Sequence, residues 1–296
     1  MRDLLAIDEA WYHAHLDQVE AWLSAGGVVD FGPEAAARLV PTRRGSGSVA
    51  IIPVTGFLTK QPTLFSAIFG GTSVDALASE VVSAVRDSSV AAVVLAINSP
   101  GGAVHGVPEA AAKIRAARGD KPIFAVTDPL ATSAAYWLGA QADEFVGSLS
   151  GITGSIGVIV ELVDASAALE SRGVKYSLIR YGRNKGEGHP AVPLDDDARE
   201  HVQAKVDYFG RMFDADVAKG RRVSLEKVRA DFGEGATFTA DAALKAGLID
   251  RVGDLEAVVR EAAAGRRPES MGPAPRGFDA DEMRLRARLA GLDRPC

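Results

Sequence analysis

A serine at a strand-to-helix junction is the first residue in this sequence that could do covalent chemistry. The apolar run PIFAVTD ends at Asp128, and the small residues around Ser133 open a run that is typical of a helix. Many hydrolases expose a nucleophilic oxygen at such a junction, where helix N–H groups can stabilise negative charge. A serine among alanines is more often a packing residue or a cap, so this stretch alone leaves catalysis open.

Two adjacent glycines follow a second apolar run. The sequence INSPGG places two residues between the end of AAVVLAIN and the pair Gly101 and Gly102. Glycine inside an element costs about 0.5–1 kcal/mol relative to alanine, so a pair here predicts a turn or a close backbone approach that other residues forbid. The bare N–H groups of such a pair could also face a reacting carbonyl.

A serine nucleophile needs a general base, and histidine is the usual first candidate. No histidine falls between Ser133 and His189, and surface or interface roles are favoured for three of the five: His13, His15 and His201. His105 follows the glycine pair, and His189 lies in the loop GEGHP. Lys185 lies in the loop GRNKGEG, where an isolated lysine is usually solvated. The same loop lacks the GxxxxGK[ST] spacing of a phosphate-binding loop.

The elements that must position these residues alternate between strand-like and helical runs, which predicts an α/β domain. The strand-like runs are VAIIPVTGFL, AAVVLAIN, PIFAVTD, EFVGSL, GSIGVIV, KYSLIR and LIDRV. The clearest helix is predicted over 195–219, because its apolar residues recur every three or four positions. Its three leading aspartates fit a helix N-terminus better than a metal site. In the stretch before Lys185, residues 157–180, we expect a helix and a strand.

Stretches rich in glycine, serine and proline divide the chain into three parts. Residues 1–45 are predicted to be an N-terminal helical arm and linker, and residues 46–262 form the α/β domain. Residues 263–296 are predicted to be a mobile tail, rich in proline and glycine, with a short charged helix.

Composition excludes several classes of function. The 296 residues are 47% hydrophobic and 24% charged, which predicts an ordinary globular core, and the net charge of −6 argues against a nucleic-acid partner. No apolar run is long enough for a membrane span, so we expect a cytoplasmic protein. The one cysteine, Cys296, allows neither an internal disulfide nor a cysteine metal site. Nothing in the sequence implies a cofactor.

Four segments together closely resemble the signal peptide peptidase A (SppA) family of serine proteases in the ClpP/crotonase superfamily. They are INSPGG, ATSAAYWLGAQADEFVGSLSGITGSIGVIVE, RYGRNKGEG and FTADAALKAGLIDRVG, in this order between residues 49 and 259. The resemblance implies a spiral of ββα units that assembles into a homo-oligomeric ring. It also implies a nucleophile at Ser133, a general base at Lys185, and an oxyanion hole lined by Gly101, Gly102 and the Ala134 N–H.

The implied lysine base sets a physical requirement. A lysine that accepts a proton near pH 7 needs a pKa about three units below its usual ~10.4, which burial in a dry site can supply.

Three alternative functions compete with a serine–lysine protease. ClpP proteases use a histidine in this region, and TGSIGVIVE contains none. Crotonases use carboxylates as acid and base, and Glu161 or Asp164 could be nominated for that role. A catalytically silent scaffold would keep only the ring-forming fold.

The resemblance also implies a biological setting. Cellular members of the family usually carry a membrane anchor that this sequence lacks, which favours the phage head maturation proteases that cut scaffold and capsid proteins. Such a protein would work in the host cytoplasm or inside the procapsid. A cytosolic peptidase that degrades signal peptides or other peptides is the alternative. In compact relatives the serine and lysine of one site can come from adjacent chains, and the same arrangement is expected here.

Overall fold

The computed structural model describes residues 5–7, 24, 44–46, 48–61, 70–119 and 121–269. Ten strands in these residues form one sheet. Their bounds are β1 Leu5–Ile7, β2 Arg44–Ser46, β3 Val49–Thr59, β4 Gly71–Ser73, β5 Ala92–Ala103, β6 Ile123–Thr132, β7 Glu144–Gly147, β8 Ile152–Gly154, β9 Thr237–Thr239 and β10 Arg251–Val252.

The sheet is mainly parallel. Its central path runs β10-β7-β6-β5-β3-β2, and only the β3–β2 pair along it is antiparallel. Strands β4 and β8 add parallel pairs to β3 and β6, whereas β1 and β9 pair antiparallel with β5 and β8. Parallel neighbours need crossover connections, and helices supply them here. The predicted α/β class is confirmed.

Helices α1, α2 and α3 connect β4 to β5, β5 to β6 and β6 to β7. The helices of the described residues are α1 Val74–Arg86, α2 Val107–Ala116, α3 Ala134–Gly139, α4 Ser166–Ser171, α5 Asp196–Arg221, α6 Leu225–Asp231, α7 Ala240–Ala246 and α8 Leu255–Ala263. The helix predicted over 195–219 is α5. Asp195 caps it by accepting the Ala198 N–H at 2.7 Å, so this prediction is confirmed.

Strand β5 is buried on both faces of the sheet. Val93, Leu95 and Ile97 belong to the large core cluster that includes the apolar faces of α1 to α3. Ala92 and Val94 point to the other face, where α8 covers a smaller cluster. Double-sided burial explains why the strand reads as a continuous apolar run rather than an alternating one. Each large aliphatic side chain buried this way stabilises the fold by about 1.5–3 kcal/mol.

The short helix α3 is fixed by its aromatic residues. Trp137 stacks on Phe213 of α5 at 4.2 Å between ring centroids, and its indole N–H donates to the Asp216 carboxylate at 3.2 Å. Tyr136 donates its hydroxyl proton to the Leu248 carbonyl at 2.8 Å. A helix of six residues is marginal by itself, so these tertiary contacts determine where its N-terminus lies.

Two predicted strands are wrong. The run KYSLIR, residues 175–180, forms no strand, and the Ile179 side chain is 97% exposed. In GSIGVIV, residues 154–160, only Gly154 lies in a strand. An extended segment becomes a strand only where a neighbour accepts its N–H and C=O groups, and no strand of the described sheet pairs with residues 175–180. The helix expected before Lys185 is α4.

The predicted helical arm and tail fall mostly outside the described residues. Leu5–Ile7 is a strand where the spacing predicts a helix, because the edge of β5 provides it with backbone partners. Ser24 is helical. The rest of the arm up to residue 43, and residues 270–296 of the tail, lie outside the described residues. No helix in the described part of the chain is long and apolar enough to cross a membrane.

Candidate active site

Ser133 joins β6 directly to α3. Strand β6 ends at Thr132 and α3 begins at Ala134, so the predicted junction is confirmed. The backbone of Ser133 has φ 54° and ψ −122°, a conformation that is uncommon for a residue with a side chain. Such strain persists only where the surrounding structure enforces it, and sharp strand-to-helix turns of this kind carry the nucleophile in other hydrolases.

Backbone hydrogen bonds on both sides hold Ser133 in this conformation. Its N–H donates to the Gly154 carbonyl at 2.8 Å, and its carbonyl accepts the Trp137 N–H at 2.9 Å. The residue is 1% exposed, and its Oγ has no hydrogen-bond partner among the described residues. An unpaired buried hydroxyl costs about 1–3 kcal/mol, which is a reason to look for a function.

Strand β8 supplies the carbonyl that holds Ser133. It pairs with β6 so that Ala131 lies opposite Thr153 and Thr132 opposite Gly154. Gly154 has φ +110°, and a Cβ atom on it would lie 2.7 Å from the Ala236 carbonyl oxygen. Only glycine fits this position. The positioning role of Gly154 is not among the predictions from the sequence, although the glycine in TGSIGV was a signal for it.

The first glycine of the pair is held by a serine that the sequence analysis also missed. Gly101 has φ +101°, which explains the need for glycine. Its N–H donates to Ser99 Oγ at 3.2 Å, and Ser99 Oγ donates to the Gly56 carbonyl at 2.6 Å. The Gly101 N–H is therefore already engaged within the chain.

The second glycine is required by the neighbouring strand. Gly102 lies opposite Leu58 of β3, and a Cβ atom on Gly102 would lie 2.0 Å from the Leu58 carbonyl oxygen. No side chain fits there without moving the strand. Ala134 is the first residue of α3, and a helix provides no internal acceptor for the N–H of its first residue. The N–H groups of Gly102 and Ala134 are thus the two candidates for binding an oxyanion.

Lys185 lies far from a buried environment. The Lys185 side chain is exposed, and the residue lies in a turn. Within the described residues, Lys185 forms hydrogen bonds through its backbone. The Lys185 N–H donates to the Gly182 carbonyl at 3.1 Å, and its carbonyl accepts from Arg180 at 3.3 Å. Because Ser133 Oγ has no hydrogen-bond partner, Lys185 Nζ is not within hydrogen-bond distance of it. One chain does not bring the two predicted catalytic residues together.

No histidine in the described residues takes the place of the lysine, because none of them hydrogen-bonds Ser133 Oγ. These histidines contact other side chains: His105 packs edge-to-face on Phe209, His189 stacks on Tyr176, and His201 hydrogen-bonds Glu187. His13 and His15 lie outside the described residues.

The two nominated carboxylates lie on the surface. Glu161 and Asp164 are both exposed. Two hydrogen bonds from Ser166 lower the pKa of the Asp164 carboxyl below its usual value, which makes it a poor proton donor near neutral pH. Within the described residues, no group of three or more His, Cys, Asp or Glu side chains is arranged to hold a metal ion.

Several known proteins are similar to this chain. The chain is 30% identical over 227 residues to "Capsid assembly protease C" of Escherichia phage lambda, covering 76% of this chain and 51% of that protein. It is 31% identical over 204 residues to "Head-tail preconnector protein GP5" of Enterobacteria phage P21, covering 69% of this chain and 40% of that protein. It is also 30% identical over 174 residues to "Putative signal peptide peptidase SppA" of Enterococcus faecium, covering 58% and 50%.

The chain thus spans about half the length of these curated relatives or less. A model of peptidase family S49 matches residues 115–267, slightly more than half of the chain, and includes both Ser133 and Lys185. The chain therefore belongs to peptidase family S49.

Proposed function

We propose that this chain is a serine endopeptidase in which Ser133 is the nucleophile and Lys185 the general base, with no cofactor. The observation that carries the proposal is the strained, buried Ser133 with an unpartnered Oγ, in a chain of peptidase family S49. In this reaction Oγ attacks the substrate carbonyl and its proton passes to the base. The base returns that proton to the amine as the C–N bond breaks, and water then hydrolyses the acyl-enzyme.

The oxyanion that forms in this reaction needs fixed N–H donors. We assign them to Gly102 and Ala134, which the turn at Ser133 and the pairing of β3 with β5 hold in place. Gly101 becomes a third donor only if its bond to Ser99 opens. Removal of one such donor costs about 3–4 kcal/mol of transition-state stabilisation in other hydrolases.

We propose that the base comes from a neighbouring chain in a homo-oligomeric ring. The segment around Lys185 exposes large side chains that a monomer has no reason to expose: Ile179 is 97% and Tyr181 100% exposed, and Tyr176 is half exposed. Exposed apolar groups of this kind mark contact surfaces. Burial of the segment against a second copy would remove Lys185 from water and lower its affinity for protons, as a general base requires.

The biological role we propose is that of a phage head maturation protease. The relative from phage lambda is named a capsid assembly protease, and its similarity covers most of this chain. The substrates would then be scaffold and capsid proteins, cut in the host cytoplasm or inside the procapsid. The similarity to the SppA of Enterococcus faecium supports a second candidate, a peptidase that degrades signal peptides or other peptides.

The proposed activity is tested by cleavage of a peptide library with wild type, Ser133→Ala and Ser148→Ala. Ser148 is the matched control, because its hydroxyl is also buried without a hydrogen-bond partner among the described residues. We expect Ser133→Ala to abolish cleavage with folding intact, and Ser148→Ala to keep it. Cleavage by Ser133→Ala would refute the assignment of the nucleophile. A folded wild type that cleaves no peptide or capsid protein would favour the silent scaffold.

A further inference from the structure

A segment from the beginning of the sequence lies beside the glycine pair. Strand β1, Leu5–Ile7, pairs antiparallel with Gly101–Ala103 at the end of β5, and Ile7 lies opposite Gly101. The Ile7 side chain is only 4% exposed. Within the described residues, Ile7 belongs to neither of the two core clusters.

The pairing pattern fixes which edge of β5 the segment uses. One edge of β5 is taken by β3, which reaches Gly102 through Leu58. Strand β1 must therefore use the other edge, which β6 occupies up to the pair Ser99 and Ala131. Beyond that pair β6 continues to Thr132 and turns at Ser133 into α3. Strand β1 thus enters the position beside β5 that β6 leaves on its way to the nucleophile.

We propose that β1 is a substrate-like strand that occupies the cleft of its own chain and competes with substrate for the edge of β5. This inference rests on the proposed function, because a cleft for extended peptides is what a protease needs. Added strands gain affinity from backbone hydrogen bonds and specificity from side-chain pockets. By this reading the position opposite Gly101 accepts a buried apolar side chain, as it does Ile7.

Tethering explains how three residues can hold the cleft. A short strand binds weakly by itself, but attachment to the same chain gives it an effective concentration on the order of millimolar. A substrate must displace it first, which raises KM and leaves kcat unchanged. A charged side chain at Ile7 would have to be buried without a partner, so Ile7→Asp should release β1 from the cleft.

A binding experiment tests the proposal without relying on catalysis. The probe is a fluorescein-labelled peptide of residues 2–9, measured by fluorescence anisotropy against Ser133→Ala and Ser133→Ala/Ile7→Asp proteins. We expect at least about tenfold tighter binding to the double variant, in which the cleft is vacant. The same peptide carrying Ile7→Asp should bind neither protein. Ser133→Ala/Leu225→Asp, with the same change at an exposed position, should behave like Ser133→Ala.

A second variant guards against misfolding of the first. Ala6→Pro places a proline in the middle of β1, where a paired strand tolerates it poorly, and should release β1 in the same way. The proposal would be overturned if the peptide bound equally well to proteins that retain β1 pairing and to those designed to release it. It would also be overturned if the peptide bound to none of them while circular dichroism showed them to be folded.

The kinetic readout separates this inference from the proposed function. With Ser133 intact, Ile7→Asp should lower KM for a peptide substrate about threefold to tenfold and leave kcat unchanged. Cleavage with an identical KM in Ile7→Asp, Ala6→Pro and wild type would refute the role of β1 and leave the protease assignment standing. Peptide binding as expected, with no cleavage by any of these proteins, would refute the protease assignment and leave the role of β1 standing.

Discussion

At the scale of single residues, the structure explains Ser133 by its surroundings. The positive φ of Ser133 is held by the Gly154 carbonyl, and Gly154 is itself confined by the Ala236 backbone. The small residues of the sequence are enough to predict the junction, because a strand and a helix must meet where the apolar run ends. The bond from Ser133 to Gly154 joins residues far apart in sequence, so local pattern could not predict it.

The two glycines also show one feature that the sequence predicts and one that it does not. Their adjacency predicts an unusual backbone, and both have one: Gly101 by its φ of +101° and Gly102 by its contact with Leu58. The hydrogen bond from the Gly101 N–H to Ser99 depends on side-chain placement, which the sequence pattern does not encode. This bond engages one of the three predicted oxyanion donors within the chain.

The histidines provide a prediction at this scale. His105→Ala and His189→Ala should each retain kcat/KM within about threefold of wild type, because the proposed mechanism gives neither histidine a role in proton transfer. Steady-state cleavage of one peptide substrate measures both. The two residues contact Phe209 and Tyr176, so stability should be checked alongside by thermal unfolding. A loss of orders of magnitude in kcat/KM at His105, in a folded protein, would restore the histidine triad.

At the scale of elements, the spacing of apolar residues predicts the helices and strands that pack in the core. Helix α5 matches its predicted position, and strand β5 begins where predicted but continues through the glycine pair to Ala103. The run at residues 175–180 has the residue types of a strand and forms none, since no strand of the described sheet pairs with it. Strand β1 departs from its predicted helix for the opposite reason, because β5 offers it an edge. Tertiary partners, which sequence patterns do not specify, decide both cases.

A charged pair ties the end of α5 to the start of β10. Arg221 donates two hydrogen bonds to Asp250 at 2.7 and 2.8 Å, and Asp250 also accepts the Phe145 N–H at 2.7 Å. Burial opposes ionisation of Asp250, but the hydrogen bonds and charge of Arg221 outweigh it. The pKa of the Asp250 carboxyl is therefore lowered in the folded protein.

This pair predicts the acid dependence of stability. Because the folded pKa is lowered, the stabilisation by Asp250 is fully present above the unfolded value of about 3.9 and is lost as pH falls through the folded pKa. Asp250→Asn should reduce the free energy of unfolding by about 1–3 kcal/mol at pH 7. The difference from wild type should shrink below about pH 4. Urea unfolding at several pH values measures it, and a difference that grows in acid would contradict the account.

At the scale of the whole molecule, one chain does not bring the two residues of the proposed dyad together. Ser133 is buried in the domain with its Oγ unpartnered, while Lys185 lies exposed in a segment with Ile179 and Tyr181 in water. These observations fit an assembly in which one copy supplies the nucleophile and its neighbour the base. Such an interface repeats around a closed ring, so every subunit would contribute to two sites.

Complementation between two inactive proteins tests this central claim most directly. Ser133→Ala and Lys185→Ala should each be inactive by themselves, and the mixture should recover activity once subunits exchange. If the site is shared, about a quarter of the interfaces in an equal mixture pair an intact serine with an intact lysine, so about a quarter of wild-type activity should return. Subunit exchange shown by labelled chains, with no return of activity, would contradict the shared dyad, as would an active species that sediments as a monomer.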